Sequence, residues 1–157
     1  MTEEQIDSKI NNIKTVEYER IGEVMRAEFA FVTYKGNKEN FLNIINKLKS
    51  ETKVAFILNV SESEVAKEAV ELLKGLNPVV YGANKDNYQA MIDVVKGENL
   101  ALGVKADSLE GLYETVELIQ KAGYKELILD VTGENIKDTY VNAVQVRRIA
   151  YKGKAFA

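Results

Sequence analysis

The stretch VAFILNVSESEVAKEAVELLKG, residues 54–75, contains one complete strand-and-helix unit. Residues 54–60 form a continuous apolar run, which is typical of a parallel strand covered on both faces. Ser61 followed by Glu64 has the pattern of a capping box, and Gly75 stands where a helix should end. Apolar residues recur between them at helical spacing, at Val65, Ala69, Val70 and Leu73. The stretch therefore predicts a β-strand joined by a short turn to an α-helix.

The same unit recurs on both sides of this stretch. Further apolar runs lie at residues 27–34, 79–83, 100–104 and 127–131. Segments with one apolar helical stripe lie between them, at residues 41–48, 88–95 and 109–119, and an amphipathic helix carrying Ile6, Ile10 and Ile13 precedes the first run. Such alternation predicts an α/β protein with a parallel sheet and right-handed crossovers. Polar residues that favour helix N-caps precede several of these helices: Asn37, Asn84, and Asp107 or Ser108.

About five strands leave two architectures open. A closed (β/α)₈ barrel needs eight such units, so the 157 residues suffice for a partial TIM-barrel-like domain. The alternative is an open doubly wound sheet, which usually carries a glycine-rich first turn. The first turn here, YKGNKEN, has a single glycine, and neither G-x-G-x-x-G nor a P-loop motif occurs. We predict a single domain over residues 1–157 and expect its open sheet edges either to promote self-association or to require further sequence for folding.

Composition excludes several kinds of chemistry. The chain has neither Cys nor His, which excludes thiolate catalysis, a histidine base, Cys or His zinc sites and cysteine-held iron–sulfur clusters within it. The 21 basic and 24 acidic residues are interspersed and give a net charge of −3, which argues against a nucleic-acid partner. No apolar run is long enough to span a membrane. We predict a cytoplasmic protein with no membrane partner and no metal site.

The polar residues most able to face a ligand or partner follow the predicted strands, because the carboxyl ends of parallel strands share one edge. They are Asn59, Asn84, Lys105 and Asp130. In a functional interpretation, Lys105 is a desolvated amine or phosphate partner, and Asp130 binds a ligand or moves a proton. In a structural interpretation, Lys105 and Asp130 form an ion pair at the sheet end, and Asn84 is only a helix cap. The residue pattern leaves both open and identifies no catalytic residue.

The region from residue 129 to residue 150 carries a characteristic set of spaced residues: Leu129, Asp130, Asn135, Lys137, Thr139, Gln145, Arg147, Arg148 and Ala150. Their spacing resembles the segment L-D-P-G-x-x-N-x-K-x-T followed by Q-x-R-R-x-A. That segment belongs to the large subunit of the corrinoid iron–sulfur protein, which is the gamma subunit of the acetyl-CoA decarbonylase/synthase complex. A second turn of the family is similar at Tyr81, Ala83, Asn87 and Met91. Val131 and Thr132 depart from the family's Pro and Gly, so the loop after Asp130 need not follow the family's path.

The resemblance covers nearly the whole chain and implies the greater part of the family's central TIM-barrel domain. The family's iron–sulfur domain and corrinoid-binding domain are expected to lie outside these 157 residues. The family subunit carries a methyl group on cobalt from a methyltetrahydropterin to acetyl-CoA synthase, in acetyl-CoA synthesis or cleavage. The corrinoid and the 4Fe-4S cluster are therefore implied for the full-length subunit, and no cofactor is expected on this chain alone.

By resemblance, this chain is a scaffold or docking domain that is not catalytic alone, with Asn135 added to the ligand- or partner-facing candidates. Its implied partners are the small corrinoid iron–sulfur subunit, the methyltransferase and acetyl-CoA synthase. An alternative is a stand-alone barrel-type enzyme that binds a pterin or another small molecule. In that case Asn59, Asn84 and Asp130 would hydrogen-bond the ligand at the strand ends.

Overall fold

The computed structural model describes residues 3–152. Six helices in this range are α1 (Glu3–Thr15), α2 (Lys38–Glu51), α3 (Ser63–Leu72), α4 (Tyr88–Val95), α5 (Leu109–Lys121) and α6 (Ile136–Tyr151). The strands are β1 (Glu17–Arg20), β2 (Glu23–Arg26), β3 (Phe29–Thr33), β4 (Ala55–Asn59), β5 (Val79–Ala83), β6 (Leu102–Val104) and β7 (Leu127–Leu129). None of these helices is both long and apolar enough to cross a lipid bilayer.

Strands β3 to β7 form one parallel sheet whose spatial order follows the chain. The predicted α/β class with repeated βα units is confirmed. A doubly wound sheet reverses its strand order at a switch point, whereas this order runs in one direction, as in a barrel. Within residues 3–152 the sheet does not close, so β3 and β7 are its two edges.

The sheet is covered on one face only. Right-handed crossovers between consecutive neighbouring strands place every connecting helix on the same side. Burial on β3 alternates accordingly: Ala30 and Val32 are buried, whereas Phe29 and Phe31 are 61% and 56% exposed. The covered face continues along the sheet in Phe56, Leu58, Val80, Leu102 and Val104. Parallel strands are usually covered on both faces, so the exposure of the second apolar face is unusual for a parallel sheet.

A β-hairpin before the sheet was not predicted. Strands β1 and β2 pair antiparallel through a two-residue turn at Ile21 and Gly22, both of which have positive φ. A glycine at the second turn position fits this geometry, because φ above zero costs it nothing. Every residue of the two strands is exposed, so no buried stripe marked them in the sequence.

The predicted helix caps are partly right. Asn37 and Ser108 are N-caps whose side chains accept N–H hydrogen bonds from Asn40 and Gly111. The capping box at Ser61 is wrong, because α3 begins two residues later and its N-cap position, Glu62, makes no side-chain cap.

The carbonyl of Ser61 explains the later start of α3. It accepts a hydrogen bond of 2.9 Å from the Asn87 side chain, which holds Ser61 in the loop. Asn84 does not cap α4 either, since that helix begins at Tyr88 with Asn87 at its N-cap.

Alanine variants of Ser61 and Ser108 test which of the two side chains caps a helix. Ser108→Ala is expected to lower the free energy of unfolding by about 1 kcal/mol, because it removes the oxygen that accepts the Gly111 N–H. Ser61→Ala makes the same chemical change at a position without a cap and should leave stability nearly unchanged. Urea denaturation followed by circular dichroism compares them. Equal losses of stability in the two variants would show that the Ser61 side chain does cap α3.

Candidate functional site

A polar group crosses the three strands β5, β6 and β7 at the open face near their carboxyl ends. The Tyr81 hydroxyl on β5 donates a hydrogen bond to Asp130, which directly follows β7. Between them lies Gly103 of β6, paired with Tyr81 in the sheet register. A Cβ atom at Gly103 would lie 2.6 Å from a Tyr81 ring carbon, so only glycine leaves room for the ring. The missing side chain therefore lets tyrosine reach across a strand to the carboxylate.

The Tyr81 ring is also part of the apolar open face. Its centroid lies 5.7 Å from that of Phe31, with the ring planes tilted by 60°. This geometry is within the range of favourable aromatic pairs. Tyr81 therefore has two roles, because its ring packs against Phe31 while its hydroxyl binds Asp130.

Asp130 is held as a carboxylate by hydrogen bonds. Partial burial is the largest influence on its pKa and raises it, but hydrogen bonds from Thr132 and Tyr81 and the positive charge of Lys105 outweigh burial. The net result is an Asp130 pKa below its ordinary value. The backbone N–H of Thr132 donates to the carboxylate at 2.9 Å. Burial and Asp130 together raise the pKa of the Tyr81 hydroxyl, so tyrosine remains the donor.

The structural interpretation of Lys105 and Asp130 as an ion pair is wrong. No ion pair joins them among the described residues, and Lys105 is exposed. Lys105 acts on Asp130 only through longer-range attraction. The carboxylate oxygens of Asp130 accept instead from the Tyr81 hydroxyl and the Thr132 backbone N–H.

Removing the Tyr81 hydroxyl should change the titration of Asp130. In Tyr81→Phe the burial remains and a hydrogen bond is lost, so the pKa of Asp130 is expected to rise. A lowered carboxyl pKa stabilises the fold above the unfolded-state pKa, and this contribution is lost as pH falls through the folded-state pKa. Tyr81→Phe should therefore lose this stabilisation at a higher pH than the wild type does. Carbon-detected NMR titration of Asp130 measures the shift. Tyr140→Phe, at a tyrosine 71% exposed, should leave the titration unchanged.

Three other predicted candidates share a separate cavity of about 580 Å³ at the same rim. Asn59, Asn84 and Lys105 line it, whereas Asp130 does not. The Asn59 side-chain amide donates a long hydrogen bond of 3.5 Å to the Thr33 hydroxyl. The Asn84 side chain accepts from the backbone N–H groups of Asp86 and Asn87 at 2.9 and 3.1 Å. Asn84 therefore shapes the turn after β5, and the lysine ammonium is the least constrained polar group of the three.

Asn135 lies apart from both groups as the N-cap of α6. Its side chain accepts the Asp138 N–H at 3.0 Å and donates to the Asp138 carboxylate at 2.6 Å. The neighbouring Gly133 N–H donates to the Thr139 hydroxyl at 3.0 Å. Asn135 is exposed, and its polar atoms serve the helix start. The predicted candidates therefore lie in three separate places: Asp130 binds Tyr81, three others line the rim cavity, and Asn135 caps α6.

Sequence reasoning missed two residues that shape this edge. Gly103 had no local signal, since its role depends on the ring of a neighbouring strand. Asn87 ties the loop after β4 to the turn after β5, because its side-chain amide donates to the carbonyls of Ser61 and Gly82 at 2.9 and 3.2 Å. Asn87 is one of the residues that carried the family resemblance, and its position in that turn was the available signal.

The whole chain, residues 1–157, matches the family model for the CO dehydrogenase/acetyl-CoA synthase delta subunit. The chain belongs to this family. The acetyl-CoA decarbonylase/synthase complex subunit gamma 2 of Methanosarcina mazei is 32% identical over 118 residues, which cover 72% of this chain and 25% of the relative. The corrinoid/iron-sulfur protein large subunit of Moorella thermoacetica is 26% identical over 97% of this chain and 34% of its own length.

These matches confirm the resemblance to this family. A gamma subunit from Methanothermobacter thermautotrophicus is 30% identical over 94% of this chain and 33% of its own length. The chain thus spans about a quarter to a third of the length of these relatives.

The iron–sulfur cluster implied by the relative's name does not fit the residues of this chain. Such clusters are held by Cys thiolates, sometimes with His, and the sequence contains neither. Within residues 3–152, moreover, no three acidic side chains group closely enough to hold a metal ion. No chemical step is therefore assigned to a cluster bound by these residues.

Proposed function

We propose that this chain is a barrel-type scaffold and docking domain of a corrinoid iron–sulfur methyl-carrier subunit, in the synthesis or cleavage of acetyl-CoA. The observation that carries the proposal is the match of all 157 residues to the family, combined with a parallel sheet in barrel order. The relatives named for this complex and for a corrinoid/iron-sulfur protein support the same role. The corrinoid and the 4Fe-4S cluster belong in this proposal to the full-length subunit.

The composition of the candidate site supports docking over catalysis. Asp130 is stabilised as a carboxylate by hydrogen bonds from Tyr81 and Thr132. The raised pKa of Tyr81 keeps its hydroxyl protonated, which opposes ionisation to a phenolate that could act as a nucleophile or base. These groups can present fixed hydrogen-bonding atoms to a partner surface. Methyl carriage is not expected from this chain alone.

Binding measurements with the proposed partners test the docking role. Immobilised chain is exposed to the purified small corrinoid subunit, methyltransferase and acetyl-CoA synthase in separate biolayer-interferometry experiments. Saturable binding to one of them is expected, and Asp130→Asn should weaken it several-fold by altering the rim. Lys74→Ala, which follows the carboxyl end of α3, is the matched control. Failure of all three to bind at micromolar concentrations would refute the docking role.

A spectroscopic experiment tests whether this chain binds a corrinoid or carries a methyl group by itself. The purified chain is incubated with a cobamide, desalted and scanned in the visible range. We expect no retained cobamide absorbance and no methyl transfer from methyltetrahydrofolate. A stoichiometric corrinoid spectrum after desalting would contradict the assignment of corrinoid binding to other parts of the subunit.

A pterin-binding enzyme is the second candidate, favoured by one observation. Asn59, Asn84 and Lys105 line the same rim cavity, and amide groups can hydrogen-bond the edge of a pterin ring. Asp130 lies outside this lining, so the cavity itself offers Asn59 and Asn84 of the three residues first expected to bind a pterin. Isothermal titration with methyltetrahydrofolate separates the candidates. Binding that is lost in Asn59→Leu but retained in Asp130→Asn would favour the enzyme.

A further inference from the structure

Strand β5 carries a β-bulge near its carboxyl end. It is the central strand of the sheet, with β4 and β6 as its neighbours. Tyr81 pairs with Gly103, and Ala83 pairs with Val104. Gly82 is therefore the extra residue of β5 in this register. Bulges are rare between parallel strands and frequent beside functional sites, where they redirect a side chain. This bulge directly follows Tyr81, whose hydroxyl binds the carboxylate after β7.

The bulge brings the carboxyl ends of β4 and β5 unusually close together. Gly82 has a φ of +126°, which a residue with a side chain rarely adopts. A Cβ atom at this position would lie 2.8 Å from the carbonyl oxygen of Val60 and 3.2 Å from the Ser61 hydroxyl. Only glycine therefore permits this approach. The carbonyl groups of Ser61 and Gly82 at this point need hydrogen-bond donors.

Asn87 supplies both donors from the start of α4. Its side-chain amide donates to the Ser61 carbonyl at 2.9 Å and to the Gly82 carbonyl at 3.2 Å. Its side-chain oxygen accepts the N–H of Asn84 at 2.8 Å. One side chain thus joins the loop after β4, the bulge of β5 and the turn after β5. We call these three hydrogen bonds the Asn87 clamp.

Helix capping does not explain the orientation of the Asn87 side chain. Asparagine is a preferred N-cap residue because its side-chain oxygen accepts an N–H from the first turn of the helix. Asn87 occupies the N-cap position of α4 but makes no such bond. By contrast, Asn37 and Ser108 do cap α2 and α5. The Asn87 side chain therefore serves the strands and their loops instead of its own helix.

The Asn87 clamp lies between the two polar groups of the rim. The three residues that bond to the Asn87 side chain all line the rim cavity. On the other side, Gly82 shares a peptide group with Tyr81, whose hydroxyl crosses β6 to reach Asp130. Rotation of the backbone at Gly82 would therefore turn Tyr81 and change the shape of the cavity together.

We propose that Asn87 is a positioning residue of the rim, which fixes the bulge of β5 and thereby holds Tyr81 on Asp130 and maintains the rim cavity. The inference rests on the proposed docking role, because it identifies the side chain that gives the docking surface its shape. Asn87 is partly buried and acts through its neighbours. Loss of the clamp should therefore be detectable at Asp130, beyond the residues that Asn87 contacts.

The titration of Asp130 tests this positioning without any partner. Asn87→Ala removes all three hydrogen bonds of the clamp and leaves the charge of the chain unchanged. Tyr81 should then lose its place on the carboxylate, so the pKa of Asp130 is expected to rise toward its value in Tyr81→Phe. The double variant should rise no further than Tyr81→Phe alone, because both changes remove the same hydrogen bond.

A matched control separates this effect from a general loss of stability. Asn37→Ala removes the side-chain cap of α2 at the same rim and has no contact with β5, so the titration of Asp130 should not change. Asn87→Ser is a milder variant that keeps one donor and should give a smaller rise than Asn87→Ala. An unchanged pKa of Asp130 in a folded Asn87 variant would overturn the proposal.

Hydrogen exchange in the unsubstituted chain gives a second test that needs no variant. The side-chain amide protons of Asn87 should exchange with solvent much more slowly than those of Asn37. The Asn37 amide group donates no hydrogen bond within residues 3–152, whereas that of Asn87 donates two. Equally fast exchange of the two amide groups would show that the clamp is not formed.

Binding measurements separate the role of Asn87 from the docking role itself. The purified small corrinoid subunit, methyltransferase and acetyl-CoA synthase are each tested against the unsubstituted chain, Asn87→Ala and Asn37→Ala. Asn87→Ala should bind several-fold more weakly, and Asn37→Ala should bind as the unsubstituted chain does. Equal binding by Asn87→Ala would overturn the positioning role alone. Absence of binding by the unsubstituted chain would refute the docking role, and the titration of Asp130 would still decide whether Asn87 holds Tyr81.

Discussion

Replacing Gly103 with alanine is expected to lower the free energy of unfolding by about 3 kcal/mol, at the upper end of typical overpacking costs. The new Cβ would lie 2.6 Å from a ring carbon of Tyr81 and 3.0 Å from its Cα and Cβ atoms. The ring could rotate away only by giving up its hydrogen bond to Asp130, and the backbone contact would remain. The substitution therefore strains the pairing of β5 with β6 as well as the side chain.

Urea denaturation measures this loss, and Gly97→Ala is the matched control. A Cβ atom at Gly97 would have no neighbouring atom within 4 Å, and the φ of this residue is not in the left-handed region. The control should therefore be neutral or slightly stabilising. Tyr81→Ala combined with Gly103→Ala should recover part of the loss, since the ring is gone. A Gly103→Ala loss below about 0.5 kcal/mol, well under the usual overpacking cost, would show that the ring is not held across β6.

Local patterns were sufficient for most of the fold. The apolar run at residues 54–60 became β4, and the helical stripe after it became α3, because both signals reflect burial against the same core. The hairpin of β1 and β2 lacks that signal, since its residues are exposed on both faces. The capping box failed for a different reason. Ser61 has the right spacing to Glu64, but its carbonyl is tied to Asn87, which is distant in sequence.

The candidate site was predictable in position but not in its pairing. Asp130 was expected at the sheet edge because it ends an apolar run, and it lies there. The structural interpretation pairs it with Lys105 on the adjacent strand, but Tyr81 on the next strand takes that place. That choice depends on the absence of a side chain at Gly103 and on ring orientation. Such contacts between strands leave no periodic trace in the sequence.

The two neighbouring phenylalanines of β3 and β4 should differ strongly when truncated. Phe56→Ala is expected to lower the free energy of unfolding by about 4 kcal/mol, because Phe56 is 2% exposed on the face that the helices cover. Phe31→Ala makes the identical chemical change on the adjacent strand. This substitution should lower the free energy of unfolding by only about 1 kcal/mol, since Phe31 is 56% exposed on the open face.

Urea denaturation of the two variants, against the unsubstituted chain at the same protein concentration, measures these losses. Both substitutions remove the same atoms, so the difference between the two losses reports how deeply each ring is buried. Equal losses would show that both faces of the sheet are buried in the folded chain, contrary to the exposure of Phe31.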